Sequence, residues 1–214
     1  MKSKIQSLKN GNKKTVIKKL FLTAAVAVSS LTFAQQFGAK AGMNVSTISD
    51  EGFDDTKSKV GYYAGVFMNV PVSESFSIQP EVLYNNLGSK VSSTVSGTTY
   101  SSTLNLDYVA VPVMFQYKAT PQFYLEAGPE FGFLVNAKQK FDNGSSSIVT
   151  ELDKEDFNSF NMGVGLGLGF DISKNVGLNA RYVAGFSDIT KESGPAADAK
   201  NKNNAFQVGL NIKF

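Results

Sequence analysis

The chain ends Phe206-Gln207-Val208-Gly209-Leu210-Asn211-Ile212-Lys213-Phe214. Apolar side chains stand at Phe206, Val208, Leu210, Ile212 and Phe214, and every position between them is polar or glycine. A period of two marks a β-strand with one apolar and one polar face. Such a strand needs hydrogen-bond partners along both edges, and within lipid only a closed barrel supplies them to every strand. The stretch therefore predicts an all-β fold in which these residues are the last strand of a membrane barrel.

Seven further segments carry the same alternation. Residues 37–46 set Phe37, Ala39, Ala41, Met43 and Val45 against Gly38, Lys40, Gly42, Asn44 and Ser46. Segments at 61–70, 76–85, 104–117, 123–135, 160–170 and 176–185 follow. Only the one at 104–117 is ambiguous, because residues 109–115 are apolar on both sides. The connections at 71–75, 118–122 and 171–175 are short, while those at 47–59, 88–103, 139–157 and 187–203 exceed ten residues. Short and long connections in strict alternation predict an eight-stranded antiparallel transmembrane β-barrel with short periplasmic turns and long extracellular loops. Strands of about 10 residues, rising about 3.3 Å each and tilted about 40°, cross about 25 Å. Aromatics fall at both ends of the band: Phe37, Phe76, Phe123, Phe170 and Phe214 at the turns, and Tyr62, Tyr84, Phe133, Phe160 and Phe206 at the loops. These are the expected interfacial girdles. A secreted lipocalin-like barrel would reverse the faces, yet glycines dominate the polar face of 160–170, which suits a crowded lumen better than a solvated surface.

Composition narrows the function. The 214 residues include no Cys, His or Trp. Without Cys there is no disulfide scaffold, thiol nucleophile or lipoprotein anchor. Without His the commonest general base and transition-metal ligand are missing. The formal charge of +3 is deceptive. Seven of the 21 basic residues and none of the 18 acidic ones lie in residues 1–34, so the remainder carries 14 against 18, a net of −4. That leading stretch has a lysine-rich start, an apolar run at 20–33 and Thr32-Phe33-Ala34. It reads as a secretory signal peptide, cleaved after Ala34, with the barrel domain at 35–214. An acidic mature chain argues against nucleic acid as a partner.

Several motifs resemble the PorT-like outer-membrane β-barrel (porin-like) family of Bacteroidetes: residues 37–44 (FGAKAGMN), 78–84 (IQPEVLY), 106–112 (LDYVAVP), 124–129 (YLEAGP), Ala180-Arg181-Tyr182 and the terminal Phe214. The resemblance spans essentially the whole mature chain. It implies an eight-stranded barrel in the cell outer membrane, contacting its lipid. It also implies that Phe206, Val208, Leu210, Ile212 and Phe214 form the C-terminal assembly signal read by the barrel-insertion machinery. The founding member is associated with secretion and gliding, but membership alone does not carry that role over. Pro80, Pro112 and Pro129 sit within strands, where each removes a ladder donor; all three are expected in the lipid-facing phase, marking bulges.

The inward face holds Lys40, Glu81, Glu126, Glu130, Arg181 and Lys213, together with Asp107 if the fourth strand is phased like its neighbours. Unpaired charges in a narrow lumen are costly, so they are expected to form a salt-bridged network that plugs the barrel. The alternative is a narrow porin-like channel for ions or small solutes lined by the same charges. Glu126 and Glu130 lie four residues apart on one strand face, about 13 Å, too far for a glycosidase pair. The glycines of residues 163–169 run at period two with no following helix, so they do not form a phosphate cradle. Acidic runs at 50–55 and 151–156 lack the ligand spacing of an EF-hand. No enzyme activity, metal or cofactor is expected. The role that remains is structural or interaction-based: envelope integrity, contact with a surface protein or glycan, or service to a secretion machine.

Overall fold

The computed structural model describes residues 35–49, 57–95, 98–189 and 201–214. The expected signal peptide lies outside these residues, as does the acidic run at 50–55. The described residues form nine strands: β1 (Gln36–Ser49), β2 (Lys57–Pro71), β3 (Phe76–Val95), β4 (Thr98–Lys118), β5 (Phe123–Asp142), β6 (Ser147–Glu151), β7 (Phe160–Asp171), β8 (Val176–Asp188) and β9 (Lys202–Lys213). Eight of them close a ring of antiparallel neighbours in which β4 pairs with β5, β5 with β7, and β9 with β1. Closure brings Ala39 opposite Ile212, Ala41 opposite Leu210 and Met43 opposite Val208. The final amide, Phe214 N–H, donates to the Phe37 carbonyl at 2.8 Å.

Burial decides between lipid and water outside the barrel. Phe206, Val208, Leu210 and Ile212 are 47–51 % exposed, whereas Gln207 and Asn211 are 2 % exposed. Every polar interior residue of β9 thus displaces a potential apolar one, which only an apolar exterior medium rewards. Aromatics face outward at both ends of the wall, with Phe76 against Tyr117 at 5.0 Å and Tyr62 against Tyr84 at 6.0 Å between ring centroids.

The three short turns share one construction. Ser73, Thr120 and Ser173 each accept the N–H of the residue that starts the next strand, Phe76, Phe123 and Val176, at 2.9–3.1 Å. A hydroxyl three residues ahead of a strand is a standard turn device and keeps these connections tight.

At the opposite end the strands outgrow the expected span. Residues 88–95 and 98–103, read from sequence as parts of a loop, continue β3 and β4 in register to Val95↔Thr98. Their serines and threonines satisfy each other across the strands, as Thr94 and Thr99 do at 3.1 Å. β5 extends likewise to Asp142, turns through Asn143, whose side chain accepts the Ser145 and Ser146 amides, and returns as β6. β6 pairs with the upper part of β5 and stands outside the ring.

Two expectations about β4 and the prolines need correction. β4 alternates without a break, so Leu106 and Tyr108 face inward with Ala110 while Asp107 stands on the outer phase, where it is largely covered; the register shift opposite it, which skips Val135, belongs to β5. Below it Ala110, Pro112, Met114 and Gln116 point into the lumen, and Val109, Val111, Val113, Phe115 and Tyr117 point to lipid. Pro112 is therefore an interior residue, unlike Pro80 and Pro129. None of the three prolines marks a bulge. Register is kept past each, but the ladder lapses: between β3 and β4 the pairs Glu81 with Pro112 and Val82 with Val111 are missing, and Pro80 and Pro129 flank Val113 from both sides. A proline lacks the N–H that the ladder needs and so interrupts it without inserting a residue.

Candidate functional site: the barrel interior

The centre of the lumen is an ion cluster built around Arg181 on β8. Its Nε donates to Glu126 Oε1 at 2.7 Å, while Nη1 and Nη2 donate to the two oxygens of Glu81 at 3.0 and 2.8 Å. Lys40 Nζ donates to Glu81 Oε1 at 2.9 Å. Gln79 also donates to Glu81 Oε1 at 2.8 Å, and Gln116 donates to Glu126 Oε2 at 3.0 Å. Two cations thus face two carboxylates with all four side chains almost wholly buried. The planar guanidinium suits this bridging because its donors form a rigid fork.

The glycine run on β7 makes room for the cluster. A Cβ at Gly165 would lie 3.2 Å from Arg181 Cδ, and one at Gly167 3.0 Å from Glu126 Oε1. One at Gly169 would overlap the Tyr124 ring. Toward the turns lies a second polar layer: Tyr63 donates to Asn179, Asn179 to Asn211, and Asn211 to Tyr124, at 2.8–3.0 Å.

The sequence-predicted charges divide as follows. Lys40, Glu81, Glu126 and Arg181 come together. Lys213 does not join them; it pairs with Asp171 at 2.6 Å at the turn end. Glu130 lies inside, but above the cluster, in a space shared with Asn85, Tyr108 and Asn161, and its Oε2 has no hydrogen-bond partner among the described residues. Asp107 is on the outer phase because it alternates with the inward Leu106 and Tyr108. There it accepts from Asn86 at 2.6 Å and from Asn136 at 3.0 Å. The described carboxylates of the second acidic run are not gathered either. Glu151 pairs with Lys138 at 3.4 Å, and among the described residues no group of three or more acidic side chains converges on one point.

Two interior features escaped the sequence reading. Lys59 was assigned to a loop, but β2 begins earlier, and its Nζ donates to the Asn86 side chain and to the Leu87 carbonyl near the loop end of the lumen. The second is an apolar cap over the loop-end opening. Ile48, Leu87, Leu106, Tyr108, Leu134 and Ala137 from the strand ends pack with Phe157 and Ile189 from the loops. Single apolar residues in polar loops carry no periodic signal. The nearest clue was Phe157, the one aromatic beside the acidic run.

From the turns upward, the lumen therefore passes through a hydrogen-bonded amide layer, a salt-bridged centre, a small space of about 20 Å³ beside Glu130 and an apolar lid. Apolar outside, polar inside and eight strands in a closed ring define a small integral transmembrane β-barrel. Residues 33–191 match the family model described as Outer membrane protein beta-barrel domain, and the chain belongs to that family. The fold is similar to the attachment invasion locus protein Ail of Yersinia pestis, with a TM-score of 0.51 at 14% identity over 85% of this chain and 100% of that one. Neisserial surface protein A is similar over 85% of this chain and 99% of its own, with a TM-score of 0.47 at 12% identity. No curated protein sequence matches the chain. It is a small outer-membrane β-barrel protein, with its strands in contact with lipid.

Proposed function

We propose that this barrel is a non-conducting element of the outer membrane that acts through its surface: in envelope integrity, in contact with a surface protein or glycan, or as an accessory to secretion. The observation that carries the reading is the pair of barriers in series. A path for solute would have to break the Arg181 cluster, leaving buried carboxylates unpaired, and also wet the apolar cap, and hydrophobic constrictions close pores by dewetting. The space between the barriers, about 20 Å³, is on the order of one water site. The tall β3–β4 and β5–β6 hairpins offer the contact surface, since exposed segments carried on a rigid scaffold are common carriers of binding.

Within the wider family, the ordered motifs at 37–44, 78–84, 106–112 and 124–129 support a place among the PorT-like barrels of Bacteroidetes. The lysine-rich start and Thr32-Phe33-Ala34 support export and cleavage to a mature chain beginning at Gln35. Liposome swelling tests the closed reading. Proteoliposomes should swell in arabinose or potassium chloride no faster than empty vesicles. Solute-dependent swelling would favour the narrow channel instead.

A further inference from the structure

The outer wall has a recess that the general apolar band does not explain. It is a groove of about 490 Å³ running from Phe37 and Phe214 at the turn end up to Val82 and Val111. Its volume falls in the roughly 300–1,000 Å³ range of ligand clefts. Val82 lies six residues up from Phe76, where β3 begins; at about 3.3 Å per residue and about 40° tilt this is about 15 Å, near mid-membrane. The floor is the wall where the ladder lapses at Pro80 and opposite Pro112. Pro80 presents a flat ring where neighbouring positions raise half-exposed valines. The backbone of Glu81 lines the recess while its side chain turns inward to Arg181.

We infer that this groove is a binding site for one acyl chain of a phospholipid from the periplasmic leaflet. Position selects the occupant. The groove is open along a wall that lies in lipid, and its entrance is at the turn-end girdle, so the molecules reaching it come from the periplasmic leaflet. Lipopolysaccharide occupies the opposite leaflet and meets the loop end. Chemistry agrees, because Phe37, Val66, Pro80, Val82, Val111 and Phe214 are hydrocarbon, Met68 adds an apolar thioether, and a chain seated there gains contact on several sides instead of one.

The absence of tryptophan makes the test clean. Val66→Trp places a reporter at the groove margin, and Leu166→Trp places one at matched depth across the barrel; each lies five residues before the end of its strand. The folded proteins in detergent micelles are titrated with a phospholipid carrying brominated chains. Fluorescence of the groove reporter should fall and saturate at equimolar lipid, whereas the control reporter should follow the lipid-to-detergent ratio without saturating. Adding Val82→Phe should abolish the early saturation while heat-modifiable gel migration shows that the barrel is folded. Native mass spectrometry of the wild type should show a retained phospholipid, lost in Val82→Phe. Parallel, unsaturated quenching at both reporters, or saturation that survives Val82→Phe, would overturn the proposal.

Discussion

Arg181→Met removes the group on which the interior cluster depends. The guanidinium makes three hydrogen bonds to Glu81 and Glu126, and both carboxylates are buried away from water. In the variant, Lys40 is left as the single cation of the cluster facing both carboxylates. Glu81 keeps Lys40 and Gln79, but Glu126 keeps only Gln116. Removing one member of a buried ion pair costs about 3–5 kcal/mol, chiefly because the partner stays buried and uncompensated. The pattern of rescue distinguishes this from loss of packing. Arg181→Met with Glu126→Gln leaves Lys40 against Glu81, one charge to one. Replacing a whole buried pair by groups of similar volume is often near neutral, so the double variant should recover most of the loss, to within about 1–2 kcal/mol of wild type. Arg181→Lys keeps the charge but not the fork and should fall between the two. Urea unfolding in lipid vesicles, read by the gel shift between folded and unfolded barrel, measures all four proteins. A single variant as stable as wild type, or a double variant no better than the single, would refute the reasoning.

The glycines separate close approach from mere permissiveness. A Cβ at Gly65 would meet the Val82 carbonyl at 2.0 Å, whereas one at Gly132 finds its nearest atom at 3.4 Å. Gly65→Ala should therefore cost about 1–3 kcal/mol as overpacking does, with Gly132→Ala close to neutral in the same urea assay. Deleting Phe214, or replacing it with Asp, should lower the outer-membrane amount and leave material in the periplasm, checked by fractionation and immunoblot; unchanged insertion would count against an assembly role. N-terminal sequencing of protein from outer membranes should begin at Gln35, and retention of residues before it would remove the predicted cleavage.

What could be read from the letters alone followed from the medium. Lipid outside and a narrow lumen inside force a period of two, so β9, β7 and β1 announce themselves and the inward charges can be named. The side that Asp107 takes is hidden in the letters because β4 packs apolar Ala110 and Met114 inside against Val109 and Val111 outside. The β3–β4 extension reads as a loop in the letters because serine and threonine signal turns as readily as strands; only pairing, which is non-local, decides. The same limit explains the interior. Which carboxylate Arg181 meets depends on β8 lying across the barrel from β3, and the cap depends on Phe157 and Ile189 folding over the rim. Neither relation is written in any one segment.

Single-channel recording across a planar bilayer tests the central claim most directly. Purified, folded wild-type protein should insert and remain electrically silent. Arg181→Ala or Phe157→Ala alone should be nearly so, since each leaves one barrier standing, while the two together should give discrete openings. Stable single-channel steps from the wild-type protein would contradict the closed, surface-acting barrel.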